Sequence, residues 1–206
     1  MCFKHLFLSR VSFYMSIRQT ILRKAYPLLM KISAKAKKAQ VIERPENALL
    51  KTIPSDLALT LNNGKVWHHG NAEGKFTLLV NTASDCGFTP QYEQLQALFT
   101  SYADKLTIIA IPSNDFKQQE PGKDSEIAQF CVRNYGVSFP IAQKAVVSPN
   151  ASQHPVSQWL SQSASNGWND RAPDWNFSKY LLAPNGTLMA YMGPAVEPSV
   201  CAKLLG

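Results

Sequence analysis

Two short apolar runs, Phe76–Ala83 and Leu106–Ile111, constrain this chain more than any other feature of its sequence. Neither alternates polar with apolar residues as a half-exposed strand would, so each suits a strand buried on both faces. Between them Tyr92, Leu95, Leu98, Phe99 and Tyr102 recur at helical spacing, with Thr89 and Pro90 placed as helix-start residues. A strand, a helix and a second buried strand in that order predict parallel pairing through a right-handed crossover. Pro112 stops the second run, and a loop rich in Asn, Gln, Pro and Gly leads to a helix containing Ile127, Phe130 and Cys131. Later, Lys179–Ala183 and Thr187–Met192 flank Pro184-Asn185-Gly186 and read as an antiparallel hairpin; Leu57–Leu61 and Lys65–Trp67 read as another around Asn62-Asn63-Gly64. The succession predicts an α/β fold with a central mixed β-sheet flanked by helices.

A chain of 206 residues suits one domain with an extension. Its 45% apolar and 17% charged residues exclude the disordered, collagenous and membrane-spanning classes, and four cysteines are too few for a disulfide scaffold. The formal charge of +7 suggests a polyanion partner until its location is considered. Residues 1–40 hold nine Lys and Arg and no acid, which leaves twelve bases against fourteen acids in the remainder, a net of −2. The basic excess belongs to the arm, and no nucleic-acid partner is expected for the globular part. The division expected is a basic N-terminal extension, residues 1–42, and a globular domain, residues 43–206.

The apolar groups of the arm are interrupted every few positions by a base, so none approaches the roughly 20 residues that span a bilayer. A secretory signal needs an uninterrupted apolar stretch before its cleavage site, and Arg23, Lys24 and Lys31 interrupt the stretch preceding Ala34-Lys35-Ala36. Three other readings stand: an amphipathic segment making peripheral contact with an anionic membrane through residues 1–40, an organellar transit peptide, or a solvated, partly helical tail. Met15 also qualifies as a start, since the helical pattern of Ile17, Ile21 and Leu22 begins just after it. The compartment expected is cytoplasmic, membrane-associated if the arm docks, and organellar or exported if the arm is a targeting peptide.

Chemistry concentrates first on Cys86, three residues past a buried strand and just before a helix. The carboxyl ends of strands in an open α/β sheet are where such folds place their sites, and amides at a helix N-terminus stabilise a thiolate. Asp85 opposes ionisation if its side chain points the same way. A buried, inert cysteine is the alternative. A thiolate attacking a peroxide needs neutral, fixed donors for the developing oxyanion, and Gln119, Trp175 and Asn176 are candidates. Each also has an ordinary explanation, as a solvated loop residue, a core aromatic and a turn residue. His68 and His69 face opposite ways in a strand, and no Cys-x-x-Cys pair or carboxylate cluster supplies metal-ligand spacing, so neither metal nor cofactor is expected.

Four collinear segments, Val80–Tyr92, Ile111–Gly122, Phe130–Pro140 and Trp175–Tyr180, resemble the glutathione peroxidase family, specifically its non-selenium, thioredoxin-dependent cysteine type. The resemblance covers roughly residues 50–200 and excludes only the arm. It implies a thioredoxin-like fold and reduction of hydrogen peroxide and organic or lipid hydroperoxides through a cysteine sulfenic acid. It places the catalytic tetrad on Cys86, Gln119, Trp175 and Asn176. Cys131 falls at the resolving position, so that a Cys86–Cys131 disulfide is recycled by thioredoxin or glutathione. A disulfide needs Cα atoms within about 7 Å, so the helix around Cys131 is expected to melt or shift during the cycle. Cys2 and Cys201 match nothing in the family and read as structural or incidental.

Departures from the family pattern also inform. Asp115 and Lys117 put two unusual charges beside the Gln119 loop, leaving its geometry open. The stretch Ser161–Asp174 is short, which favours a monomer or weak dimer. A peroxiredoxin places Thr three residues before its nucleophile, whereas Thr82 lies four before Cys86. A peroxide-sensing thiol switch that passes oxidation to a protein partner uses the same chemistry and stays open at this level.

Overall fold

A computed structural model of the protein describes residues 17–33 and 40–206. Cys2, Met15 and the Ala34–Ala36 site lie outside those residues. The described part begins with helix α1 (Ile17–Ser33), continues through short strands β1 (Val41–Glu43), β2 (Ala58–Thr60) and β3 (Val66–His68), and reaches the two buried runs. These are β4 (Phe76–Thr82) and β5 (Leu106–Pro112), joined by α2 (Gln91–Ser101). Helix α3 (Asp124–Tyr135) follows, then α4 (Pro155–Leu160), a further helical turn, and the hairpin β6 (Lys179–Leu182) and β7 (Leu188–Met192).

The five-stranded sheet has the order β1-β7-β6-β4-β5. β4 and β5 pair in parallel from Phe76↔Leu106 to Thr82↔Pro112, and every other pairing in this sheet is antiparallel, so the sheet is mixed as expected. β2 and β3 form the predicted hairpin but stand apart as a two-stranded sheet.

The apolar runs of β4 and β5 are explained by burial on both faces. Leu78, Val80, Ile108 and Ala110 enter one core with α2 and α3, while Leu79, Ile109 and Ile111 enter a second with Trp67, Val156 and Trp159. Alternating side chains therefore feed two cores. Each fully buried Leu or Ile contributes about 1.5–3 kcal/mol relative to exposure. Helix α3 ends where Gly136 adopts φ 62°, a left-handed conformation costly for other residues. Its N–H donates to Val132 O at 3.0 Å, and the Val137 N–H donates to Cys131 O at 3.3 Å.

Helix α1 rests against this domain. Met30 is buried in the α2–α3 core, Tyr26 and Leu29 pack at its margin, Arg23 pairs with Glu93 of α2, and the Arg23 guanidinium lies 5.8 Å from the Tyr135 ring of α3. Val41–Glu43 forms the edge strand beside β7, so α1 and most of β1, which lie within the expected extension of residues 1–42, pack onto the domain.

Candidate active site

The loop after β4 carries Cys86 and is held from several directions. The Thr89 hydroxyl accepts the Cys86 N–H at 3.0 Å and donates to Ala83 O at 2.8 Å, closing the turn into α2. The Asp85 N–H donates to Gln119 O at 3.0 Å, tying this loop to the one after β5. Parallel pairing brings the carboxyl ends of β4 and β5 together, which is why Asp85 and Gln119, far apart in sequence, meet here. Thr89 and Pro90 do mark the approach to α2, though helical geometry begins at Gln91, with Pro90 at the cap.

Cys86 is 1% exposed. Burial pushes its thiol pKa up, and hydrogen bonds from the Phe88 N–H, Trp175 and Asn176 pull it back by favouring the thiolate. Asp85 adds a smaller upward push, in the direction anticipated from sequence. The Phe88 N–H lies 3.4 Å from Cys86 Sγ. Gln119 enters the group through Asn176, whose Nδ2 donates to Gln119 Oε1 at 3.0 Å. The structure thus brings Cys86, Trp175, Asn176 and Gln119 together from three separate loops.

The turn that presents Trp175 and Asn176 is strained and clamped. Phe177 adopts φ 70°, a genuine outlier for an aromatic residue, and such outliers cluster at functional sites. Its N–H donates to Asn81 O at 2.6 Å, Asn81 Nδ2 donates to Trp175 O at 3.0 Å, and Ser178 Oγ donates to the same carbonyl at 3.0 Å. From the other side, fully buried Lys179 donates from Nζ to Phe177 O at 2.8 Å and Val196 O at 2.7 Å. Burial lowers the Lys179 pKa to about 7, with the neighbouring Cys201 acting weakly in the opposite direction. Sequence reasoning missed Asn81, Ser178 and Lys179 as supports of the turn. Their available signal was a polar residue inside or immediately beside an otherwise apolar strand.

The two charges beside the Gln119 loop have definite places. Asp115 Oδ2 accepts the N–H groups of Val147 and Ser148, each at 2.7 Å, and Lys117 Nζ lies 5.7 Å from the Trp175 ring centroid. One fixes the loop to its neighbour and the other adds a cation–π contact above a site aromatic. Behind the loop, buried Glu120 accepts from Ser84 Oγ at 3.0 Å. Burial raises its pKa to about 7 against the opposing effects of Ser84 and Lys144.

Cys131 lies within α3, fully buried, in the core cluster that also contains Cys86. Burial drives its thiol up to about 12, opposed by hydrogen bonding with Tyr92. The Tyr92 ring stands 5.5 Å from Tyr135 and 5.4 Å from Phe177, linking α3 to the turn bearing Asn176. Cys201 is buried beside Lys179. Among the described residues no group of three or more His, Cys, Asp or Glu is placed to hold a metal ion.

A family model described as glutathione peroxidase matches residues 56–161. The glutathione peroxidase-like peroxiredoxin HYR1 of Saccharomyces cerevisiae is 42% identical over 150 residues, covering 72% of this chain and 91% of the relative. A hydroperoxy fatty acid reductase of Synechocystis is 44% identical over 138 residues, covering 63% and 80%. Among solved structures, GPX1 of T. cruzi matches with a TM-score of 0.56 at 23% identity, over 72% of this chain and 90% of that one. That likeness shows the fold, which is thioredoxin-like.

Proposed function

The chain belongs to the glutathione peroxidase family and is a thiol-dependent peroxidase; from that premise we propose that Cys86 is the peroxidatic residue and Cys131 resolves it. The Cys86 thiolate attacks the terminal oxygen of a hydroperoxide, the O–O bond breaks, and the alcohol or water leaves with a proton. Trp175 and Asn176 stabilise the thiolate and the departing oxyanion as neutral donors, and Gln119 holds Asn176 in place while contributing to the same polar cluster. The reading is supported most directly by the convergence of Trp175 and Asn176 on the Cys86 sulfur.

In the second step the Cys131 thiolate attacks the Cys86 sulfenic acid, a disulfide forms, and water leaves. Inside α3 burial drives the Cys131 pKa up to about 12, which disfavours the thiolate. Local unwinding of α3 restores the ordinary ionisation and frees the sulfur to move. An external dithiol of the thioredoxin type, or glutathione less directly, then reduces the disulfide by exchange. We assign the peroxidase domain to residues 43–206, with residues 1–42 as a basic extension whose α1 and first β1 residues pack onto it, acting as a monomer or weak dimer in the cytoplasm or at a membrane, or in an organelle or exported if the extension is a targeting peptide.

The test is hydroperoxide consumption driven by thioredoxin, thioredoxin reductase and NADPH, with glutathione as the comparison reductant. Cys86→Ser is expected to abolish turnover. Cys131→Ser is expected to complete one stoichiometric oxidation and then stop in the thioredoxin assay. Activity that survives in Cys86→Ser defeats the assignment.

A further inference from the structure

Helix α1 has two faces, and only one is used by the domain. Its inner side supplies Met30 to the core and Gln19, whose Nε2 donates to Ser84 O at 3.2 Å, two residues before Cys86. Leu29 lies over Gly87, where an added Cβ would come within 2.7 Å of Leu29 Cδ2. On the outer side Ile17, Ile21, Leu28 and Ile32 are 82, 60, 64 and 64% exposed. At 100° per residue these four fall within about 60° of arc, a continuous apolar stripe along the helix. Lys24 and Lys31 are exposed and fall immediately along one edge of it.

We propose that the outer face of α1 is a docking surface for an anionic phospholipid bilayer. A contiguous apolar stripe rimmed by bases matches a helix lying in the interface plane, with the apolar residues among the acyl chains and the ammonium groups at the phosphates. Charge selects this occupant over a second copy of the chain. Lys24 and Lys31 line the stripe, so two such faces bring like charges together, whereas an anionic surface attracts both. No helix among the described residues is long and apolar enough to cross a membrane, so the contact is peripheral. The inner-face contacts to Ser84 and Gly87 then fix the orientation, with the Cys86 loop on the side of α1 turned away from the bilayer, about one helix diameter behind it.

The docking surface stands independently of the peroxidase assignment. The advantage it confers on bilayer-borne hydroperoxides rests on that assignment. The full chain is sedimented with vesicles of phosphatidylcholine alone and with vesicles containing phosphatidylglycerol, alongside Ile21→Ser/Leu28→Ser/Ile32→Ser and Lys24→Gln/Lys31→Gln variants. Wild type is expected to bind the anionic vesicles, with at least a tenfold loss in the triple variant and about fivefold per lysine removed in the other. Turnover with hydrogen peroxide is expected to be unchanged in both variants, while turnover of a phospholipid hydroperoxide in anionic vesicles falls with binding. Equal binding by wild type and both variants overturns the proposal. So does concentration-dependent dimerisation in sedimentation velocity that the triple variant abolishes, because the stripe then belongs to a subunit contact. Loss of hydrogen peroxide turnover in wild type would instead strike at the peroxidase assignment and leave the binding result intact.

Discussion

Cys86 and Cys131 are almost equally hidden, at 1% and 0% exposure, but the elements that hide them are opposites. Cys86 sits in a loop whose conformation is fixed by its neighbours: Thr89 below, Gln119 O beside it, Trp175 and Asn176 at the sulfur. Cys131 sits mid-helix, where its backbone is satisfied by the helix itself and its sulfur meets Tyr92 and the core. The loop brings donors to the Cys86 sulfur, whereas the helix keeps the Cys131 thiol buried with its pKa raised. On the roles proposed above, the first half-reaction is limited by electrostatics at a fixed site and the second by local stability.

Variants can break this contrast at either end. The largest effect expected is from Asn176→Ala or Trp175→Phe, which should slow the first oxidation of Cys86 about a hundredfold, as loss of one preorganised donor does elsewhere. Stopped-flow peroxide consumption checks this, and once the sulfenic acid has formed, disulfide formation should proceed at the wild-type rate. A comparable slowing of both steps would mean that the two regions are not separate.

The next effect concerns the support behind the Cys86 loop. The Glu120 carboxyl is raised to about 7 from 4.5 in the folded protein, so its contribution to stability is complete below about pH 4.5 and is lost as pH rises through 7. Urea unfolding of the wild type should lose about 3 kcal/mol from this group across that window. Glu120→Gln should flatten the dependence, and an unchanged slope would show that Glu120 is ionised at no such cost.

The smallest effect addresses the helix alone. Val132 is 56% exposed on α3 beside Cys131, and Val132→Ala should strengthen the helix by about 0.5 kcal/mol. If unwinding limits resolution, disulfide formation slows about twofold while peroxide attack is untouched. Quenched-flow thiol trapping with mass spectrometry resolves the two rates, and an accelerated second step would refute unwinding.

Much of this architecture was legible in the residues because β4 and β5 are buried on both sides and cannot disguise themselves as anything but interior strands. The β6–β7 hairpin was legible through its Pro-Asn-Gly turn. β1 was not, since three residues acquire strand character only through their register with β7. The packing of α1 was equally obscure: the spacing of Ile17, Ile21 and Leu22 announces a helix, but the residues that seat it, Tyr26 and Met30, look no different from those left outside. Of the candidate site, Cys86, Gln119, Trp175 and Asn176 stood out by residue type and by resemblance. The scaffolding did not, because Phe177 at φ 70° and its clamp by Asn81 and Lys179 arise from tertiary contacts that no local pattern encodes.

Lys179 has a use beyond its structural one. Its amine is sealed between two carbonyls, out of reach of reagents in the solvent. Surface lysines are reachable at all times. An amine-acylating label should therefore spare Lys179 in the closed protein and tag it once the turn behind Asn176 opens, making this residue a natural footprint for the opening of the sheet from within.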